Sequence, residues 1–262
     1  MTRSVMIVGY GVLAYLVFLG AFAYTMGFLA NAFVPRGIDD GAVGAVWLAV
    51  LVDAGLLGLF ALQHTVMARP AFKRWWTRFV PPALERSTFV LAASLVLILL
   101  LAQWRPLPTP VWTVEAAVPR MLLWATYALG WIVVVASTFL IDHFELFGLR
   151  QVVARARERR HTPPPFRVTL LYAFVRHPIM VGFLIVFWAT PDMSQGRLLF
   201  AALGTAYIVV GVRFEEHDLR AQLGEPYRRY EAEVPRFVPR LRRRHGRGQV
   251  PVDVGASVAQ DG

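Results

Sequence analysis

Ionisable residues gather where four apolar runs of the chain begin or end. His64 closes one run. Asp142, His143 and Glu145 follow another, Arg176 and His177 precede a third, and Arg213, Glu215, Glu216, His217 and Asp218 follow a fourth. Imidazoles and carboxylates placed this way can move protons, and a positioned side chain is typically worth about 10²–10⁴-fold in such a step. The neighbouring guanidinium groups offer a fixed fork of donors for an anion. Each group also has a structural reading. His64 suits a helix C-terminus, where the dipole favours a cation. Asp142, His143 and Glu145 suit an interfacial polar face, and Glu215 and Glu216 with Arg220 suit a salt-bridged exposed helix. No metal site is expected: the six histidines are scattered, none pair at i and i+4, and cysteine is absent.

The elements that must position these groups are apolar runs. Val5–Val34 carries no charge and exceeds the roughly 20 helical residues that cross a bilayer core. Ala42–Met67, Thr88–Trp104 and Met121–Ile141 follow, separated by proline- and glycine-bearing links that include Pro106, Pro108 and Pro110. Ile179–Thr190 is too short to span alone. It predicts one arm of a helical hairpin with Leu198–Val212, each arm extended a turn by its flanks. Asp53 lies within the second run, where an ionisable group is costly; it is expected to be functional or paired with an arginine on another helix.

The whole chain has 262 residues, 27 Lys and Arg, 17 Asp and Glu, a net charge of +10 and a mean hydropathy of +0.50. A disordered chain is excluded by the high hydrophobicity. The lack of cysteine excludes disulfides, thiolate metal sites and a thiol nucleophile. Basic residues concentrate in 69–86, 150–176 and the segment after Val212. The positive-inside rule then places both termini and both basic loops in the cytoplasm, an alternation that needs six crossings. The predicted fold class is an all-α integral membrane protein with about six transmembrane helices. Residues 1–240 form one polytopic domain, with 241–262 a disordered basic and polar tail lying against anionic lipid. Nucleic-acid binding is the less favoured reading of the charge. No glycine-rich phosphate loop occurs, so any cofactor is held by the helices and their cytoplasmic ends.

Two C-terminal blocks carry a more specific signal. One is Leu171-Tyr172-Ala173-Phe174-Val175-Arg176-His177-Pro178. The other runs through Glu215-Glu216, then Gly224-Glu225-Pro226-Tyr227-Arg228-Arg229-Tyr230, then Val234-Pro235-Arg236-Phe237. In this order, with an apolar hairpin between them, they resemble the isoprenylcysteine carboxyl methyltransferase-like membrane superfamily. Upstream segments extend the resemblance over about residues 10–240 to its bacterial methanethiol S-methyltransferase branch. These include Asn31–Asp39, Leu62–Pro70, Glu85-Arg86-Ser87-Thr88 and Ser137–Gln151. Two positions differ from the pattern: Met180 stands where tyrosine is usual and Leu170 where glycine is usual.

The resemblance implies methyl transfer from S-adenosylmethionine to a small thiol in the bacterial inner membrane, with dimethyl sulfide as product. It implies Tyr172, Arg176, His177 and Pro178 as one wall of the cofactor pocket and Glu215 and Glu216 as the other. Arg176 would take the methionine carboxylate, and Tyr227 and Tyr230 would cover the adenine. Only a thiolate is a good nucleophile, so a base or an electropositive pocket is expected. His143, oriented by Asp142 or Glu145, is the first candidate base and His64 the second. The implied partners are the thiol and the lipid bilayer, with no nucleic acid and no obligate protein. Other acceptors (another thiol, a selenol, an isoprenylcysteine carboxylate), a non-catalytic membrane protein of the denitrification accessory type and an NADPH-using membrane reductase stay open.

Overall fold

The computed structural model describes residues 2–162 and 164–239; the tail expected at 241–262 lies outside the described residues. In chain order the elements are α1 (Thr2–Ala30), α2 (Val46–Ala68), α3 (Pro70–Trp76), α4 (Pro82–Gln103), β1 (Pro110–Thr113), α5 (Ala117–Ile141), α6 (His143–Leu146) and α7 (Leu149–Ala156). After a 3₁₀ turn (Leu170–Ala173) come α8 (Pro178–Trp188), β2 (Asp192–Ser194), α9 (Gln195–Leu223) and α10 (Glu225–Glu233). Among the described residues, five helices (α1, α2, α4, α5 and α9) are long and apolar enough to cross a bilayer. The chain is a mostly helical integral membrane protein. Large apolar side chains such as Trp47, Leu51, Leu62, Met121 and Ile132 point outward and stay exposed, as expected where the surrounding solvent is lipid.

The helices alternate in direction, and their ends meet in two groups. At one end lie the start of α1, the end of α2, the starts of α4 and α8, and the ends of α5 and α9. Tyr10 hydrogen-bonds Thr88, Arg69 pairs with Asp218 at 3.0 Å, and Arg176 pairs with Glu216 there. The opposite end is closed by its own charges. Arg197 donates to Asp39 at 3.1 Å and to Thr190 at 2.9 Å, Arg120 grips Asp192 with two nitrogens, and Arg36 donates to three backbone carbonyls. The buried core between them joins Phe28, Leu100, Trp104, Trp131, Val186 and Phe200.

One crossing depends on glycine. A Cβ on Gly182 would lie 2.8 Å from the Gly130 carbonyl, and one on Gly130 3.0 Å from that of Gly182. Small residues let transmembrane backbones approach this closely, so α8 lies directly on α5.

Three expectations change. The fifth run is not lengthened by its flanks: α8 starts at Pro178, ends at Trp188 and keeps 11 residues, about 16 Å of rise. Its partner arm is the longer one, since α9 passes Val212 and reaches Leu223. The fold also contains a short antiparallel ribbon. Thr113 faces Asp192, and Trp112 faces Met193, which gives the backbone of the proline-rich link partners it would otherwise lack. Asp53 meets no arginine side chain: fully buried, it accepts the backbone N–H of Arg105 at 2.9 Å, and its second oxygen has no partner.

Candidate active site

The two motif blocks meet around one carboxylate. Glu216 is fully buried. Its Oε1 accepts from Arg176 Nε at 3.0 Å and Nη2 at 2.8 Å, from His177 Nε2 at 3.1 Å and from Arg236 Nε at 3.1 Å. Arg236 Nη2 also donates to Oε2. Arg176 spends its remaining Nη1 donors on the carbonyls of Glu231 at 2.7 Å and Val234 at 2.8 Å. The local sequence explains the approach. Gly224, at φ +61°, lets the chain turn out of α9, and Pro226 suits the first turn of α10. The segment then returns past α8, where the Arg176 and His177 amides donate to the carbonyls of Pro235 and Arg236.

This geometry divides the cofactor residues expected from sequence. Arg176 and Glu216 are occupied by each other and by the C-terminal segment. Tyr230 donates to the Tyr172 carbonyl at 2.7 Å, and burial pushes its hydroxyl up to about 12. Pro178 is buried at the start of α8. Glu215 differs: it is exposed, and its carboxylate stands 3.7 Å from His177 Nδ1. Tyr172 donates only a long 3.4 Å contact to the Ser137 carbonyl, and burial followed by the Glu215 charge raises its hydroxyl. Tyr227 packs with Phe166 and Tyr230, and its buried hydroxyl has no partner. The groups left for a ligand are therefore Glu215, the outer edge of His177, and the Tyr172 and Tyr227 hydroxyls.

His143 is held differently from expectation. Neither Asp142 nor Glu145 orients it. Asp142 caps α6 by accepting the Glu145 amide and pairs with Arg150 at 2.9 Å, while Glu145 engages His161 at 2.8 Å and Gln151 at 2.9 Å. The imidazole instead contacts Thr138 Oγ1 through Nδ1 at 2.8 Å and the Tyr15 hydroxyl through Nε2 at 2.7 Å. The Thr138 hydroxyl donates to the Val135 carbonyl, so it accepts from Nδ1–H. That assigns the tautomer: Nε2 accepts the Tyr15 O–H. The ring stacks on Phe139, with centroids 4.2 Å apart. Burial lowers its pKa against the opposing pull of Asp142. It is thus a neutral imidazole in neutral solution, reached through a tyrosine.

His64 points elsewhere, among Phe60, Phe89 and Tyr207, and its Nδ1 is buried without a partner. Arg213 and His217 are exposed. Among the described residues no three His, Asp or Glu groups gather as a metal would require.

The chain is 54% identical to the methanethiol S-methyltransferase of Mycobacterium tuberculosis over 88% of its own length and 94% of that relative. It is 50% identical to methanethiol S-methyltransferase 2 of Bradyrhizobium diazoefficiens over 94% and 96% of the two chains. This chain belongs to the methanethiol S-methyltransferase family. Bovine nurim is a more distant relative, 33% identical over 70% of this chain and 76% of its own. No family model and no solved structure matches the chain.

In this member of the methanethiol S-methyltransferase family, three further residues contact the candidate groups. Arg236 shares Glu216 with Arg176, and its place in the Val-Pro-Arg-Phe block was the signal for it. Tyr15 and Thr138 hold His143, but a tyrosine and a threonine inside apolar runs give a sequence reader no signal.

Proposed function

We propose that this chain methylates methanethiol with S-adenosylmethionine, releasing dimethyl sulfide, at the helix end where α8, α9 and α10 meet. The observation that carries this reading is the Arg176–Glu216 pair, which ties the two family blocks into one site beside free polar groups. The orphaned Tyr227 hydroxyl and the exposed Glu215 carboxylate suit the hydroxyls and ammonium of the cofactor. Glu215, His177, Tyr172 and Tyr227 would hold it, with Pro178 and Tyr230 shaping the wall. Arg176, Glu216 and Arg236 would keep those four in place rather than touch the ligand.

Bound there, S-adenosylmethionine supplies an electrophilic methyl group on a sulfonium sulfur. The protein's task is alignment, because near-attack geometry alone is worth about 7–11 kcal/mol in favourable cases. Carboxylate and aromatic groups at the site favour the cationic donor over its neutral product. His143, acting through the Tyr15 hydroxyl, is the proposed acceptor of the thiol proton, and His64 is the alternative. The bundle would cross the bacterial inner membrane six times, with α8 as the short crossing and the site end and both termini in the cytoplasm. Basic residues at the site end, such as Arg69 and Arg150, support that orientation.

The test is an assay of detergent-solubilised protein with S-adenosylmethionine and methanethiol, reading dimethyl sulfide in the headspace. Product should require both substrates and fall with Glu215→Gln. Cofactor binding without product would reject methanethiol as acceptor, and no binding would reject the site.

A further inference from the structure

Among the described residues, Arg86 is a guanidinium at the site end that is not exposed and has no counter-ion. Arg86 lies near the start of α4 and is half-buried. Its Nε donates to the Leu146 carbonyl at 2.7 Å, and the guanidinium sits 5.1 Å over the Phe89 ring. Among the described residues it makes no ion pair, and its Nη1 and Nη2 atoms make no hydrogen bond. Charged and titratable groups face it only at longer range: Glu85 on its own helix, His64 on α2, Lys73 on α3, Glu145 on α6 and Glu215 on α9. Among the described residues the two buried guanidiniums, Arg176 and Arg197, each pair with a carboxylate of the chain. Withdrawing a charge from water without a partner is unfavourable, so an anion from outside the chain fits here.

The surroundings say what kind of anion. The same Phe89 ring packs against the His64 ring at 4.9 Å; Phe60 and Tyr207 complete an aromatic wall at 5.5 and 6.4 Å from His64. Such a wall suits a small, soft anion carrying a methyl group. The charge of Glu215 reaches both Arg86 and Tyr207, which sets this cluster beside the cofactor groups.

We propose that Arg86 binds the acceptor sulfur as its thiolate, against Phe89 and His64. The proposal rests on the methyl-transfer reading above. On binding, the S–H bond breaks, its proton passes to the Tyr15–His143 pair and the electron pair stays on sulfur. The thiolate then forms the new carbon–sulfur bond while the sulfonium's bond to that methyl breaks toward its own sulfur, leaving two neutral thioethers. Lowering a thiol's pKa by one unit raises the thiolate fraction tenfold below that pKa, while nucleophilicity falls by only about 0.4–0.5 log units. A guanidinium at the sulfur therefore speeds transfer in neutral solution, and its hold ends when the product loses its charge.

The experiment compares wild type, Arg86→Gln and Arg86→Lys, measuring S-adenosylmethionine affinity by calorimetry and kcat/KM against pH. The acceptors are methanethiol and the more acidic methaneselenol. Arg86→Gln should fold and bind S-adenosylmethionine normally, yet lose about 100-fold in kcat/KM for methanethiol at pH 7, the scale of one lost anion donor. The loss should shrink as pH rises past the thiol's pKa and be smaller for the selenol, and Arg86→Lys should restore part of it. An equal loss at every pH and for both acceptors would overturn the proposal. So would a matching loss of S-adenosylmethionine affinity, which would assign Arg86 to the cofactor's carboxylate. Wild-type protein that binds the cofactor but makes no dimethyl sulfide would instead overturn the activity reading, and this assignment with it.

Discussion

The two ends of the bundle treat their arginines in opposite ways. At the end closed by β1 and β2, Arg36, Arg120 and Arg197 each find partners within the chain: carbonyls, Asp192, and Asp39 with Thr190. At the other end, Arg176 is held by Glu216 and two carbonyls and Arg236 pairs with Glu216, but among the described residues Arg86 makes no ion pair, and His64 Nδ1, Gln63 Oε1, Ser87 Oγ and Tyr227 OH are buried without partners. Both ends carry similar residue types, so composition does not separate structural from working charge. Pairing does. A guanidinium held by a carboxylate or carbonyls of the chain is a clasp, and Arg86, left without one, is the guanidinium proposed above to take a ligand.

The sharpest contrast comes from breaking each clasp. Glu216→Ala would strand Arg176, which is 9% exposed, and uncouple the C-terminal segment. Breaking a buried pair from one side costs about 3–5 kcal/mol, and thermal unfolding should show it together with loss of cofactor binding. At the closed end, Asp39→Ala strands Arg197, 7% exposed, and should cost about 3 kcal/mol. The fraction that stays folded should keep its kcat/KM. A catalytic loss in that variant beyond its loss of fold would erase the distinction between the ends.

A comparable but purely steric change is Gly182→Ala. The added methyl meets backbone of α5 at 2.8 Å, and overpacking of this kind costs roughly 1–3 kcal/mol. Melting should fall, and distance labels on α5 and α8 should report separation.

His143 sharpens the comparison through pH. Its folded pKa lies below the reference of about 6.5. Between those two values the unfolded chain binds more protons, so stability is complete above about pH 6.5 and declines as pH falls through the depressed value. Turnover should fall as pH drops through the depressed value if the neutral imidazole takes the proton. His143→Gln should abolish that pH dependence and lower turnover more than cofactor affinity. The smallest effect is expected from Glu231→Gln. Arg220 holds this carboxylate below its usual range, but both partners are partly exposed, so only a slight loss of melting temperature near neutral pH, vanishing in acid, should appear.

Much of the scaffold was legible in the residues because lipid imposes a simple rule: long runs without charge become helices. The rule says less about α8, a short helix bounded by Pro178 and the turn at Pro191 whose close approach to α5 through Gly130 and Gly182 is a tertiary fact. It also misses β1 and β2, which exist because the proline-rich link must satisfy its backbone. At the site, the motif blocks located Arg176, His177 and Glu216 but not their mutual engagement, since a charged side chain reads alike whether it meets a ligand or another part of the chain. The orientation of His143 by Tyr15 and Thr138 was hidden for a related reason: both partners lie in apolar helices, where their hydroxyls look incidental. Asp142 and Glu145 were the nearer acids in sequence, yet capping of α6 and the pairs with Arg150, Gln151 and His161 draw them away.

The most direct test is a single turnover. Protein loaded with S-adenosylmethionine carrying a ¹³C methyl group is mixed with methanethiol, and the headspace is analysed for labelled dimethyl sulfide. The proposed site should release labelled product one for one with cofactor consumed. Bound cofactor that survives intact in the presence of methanethiol would contradict the reading.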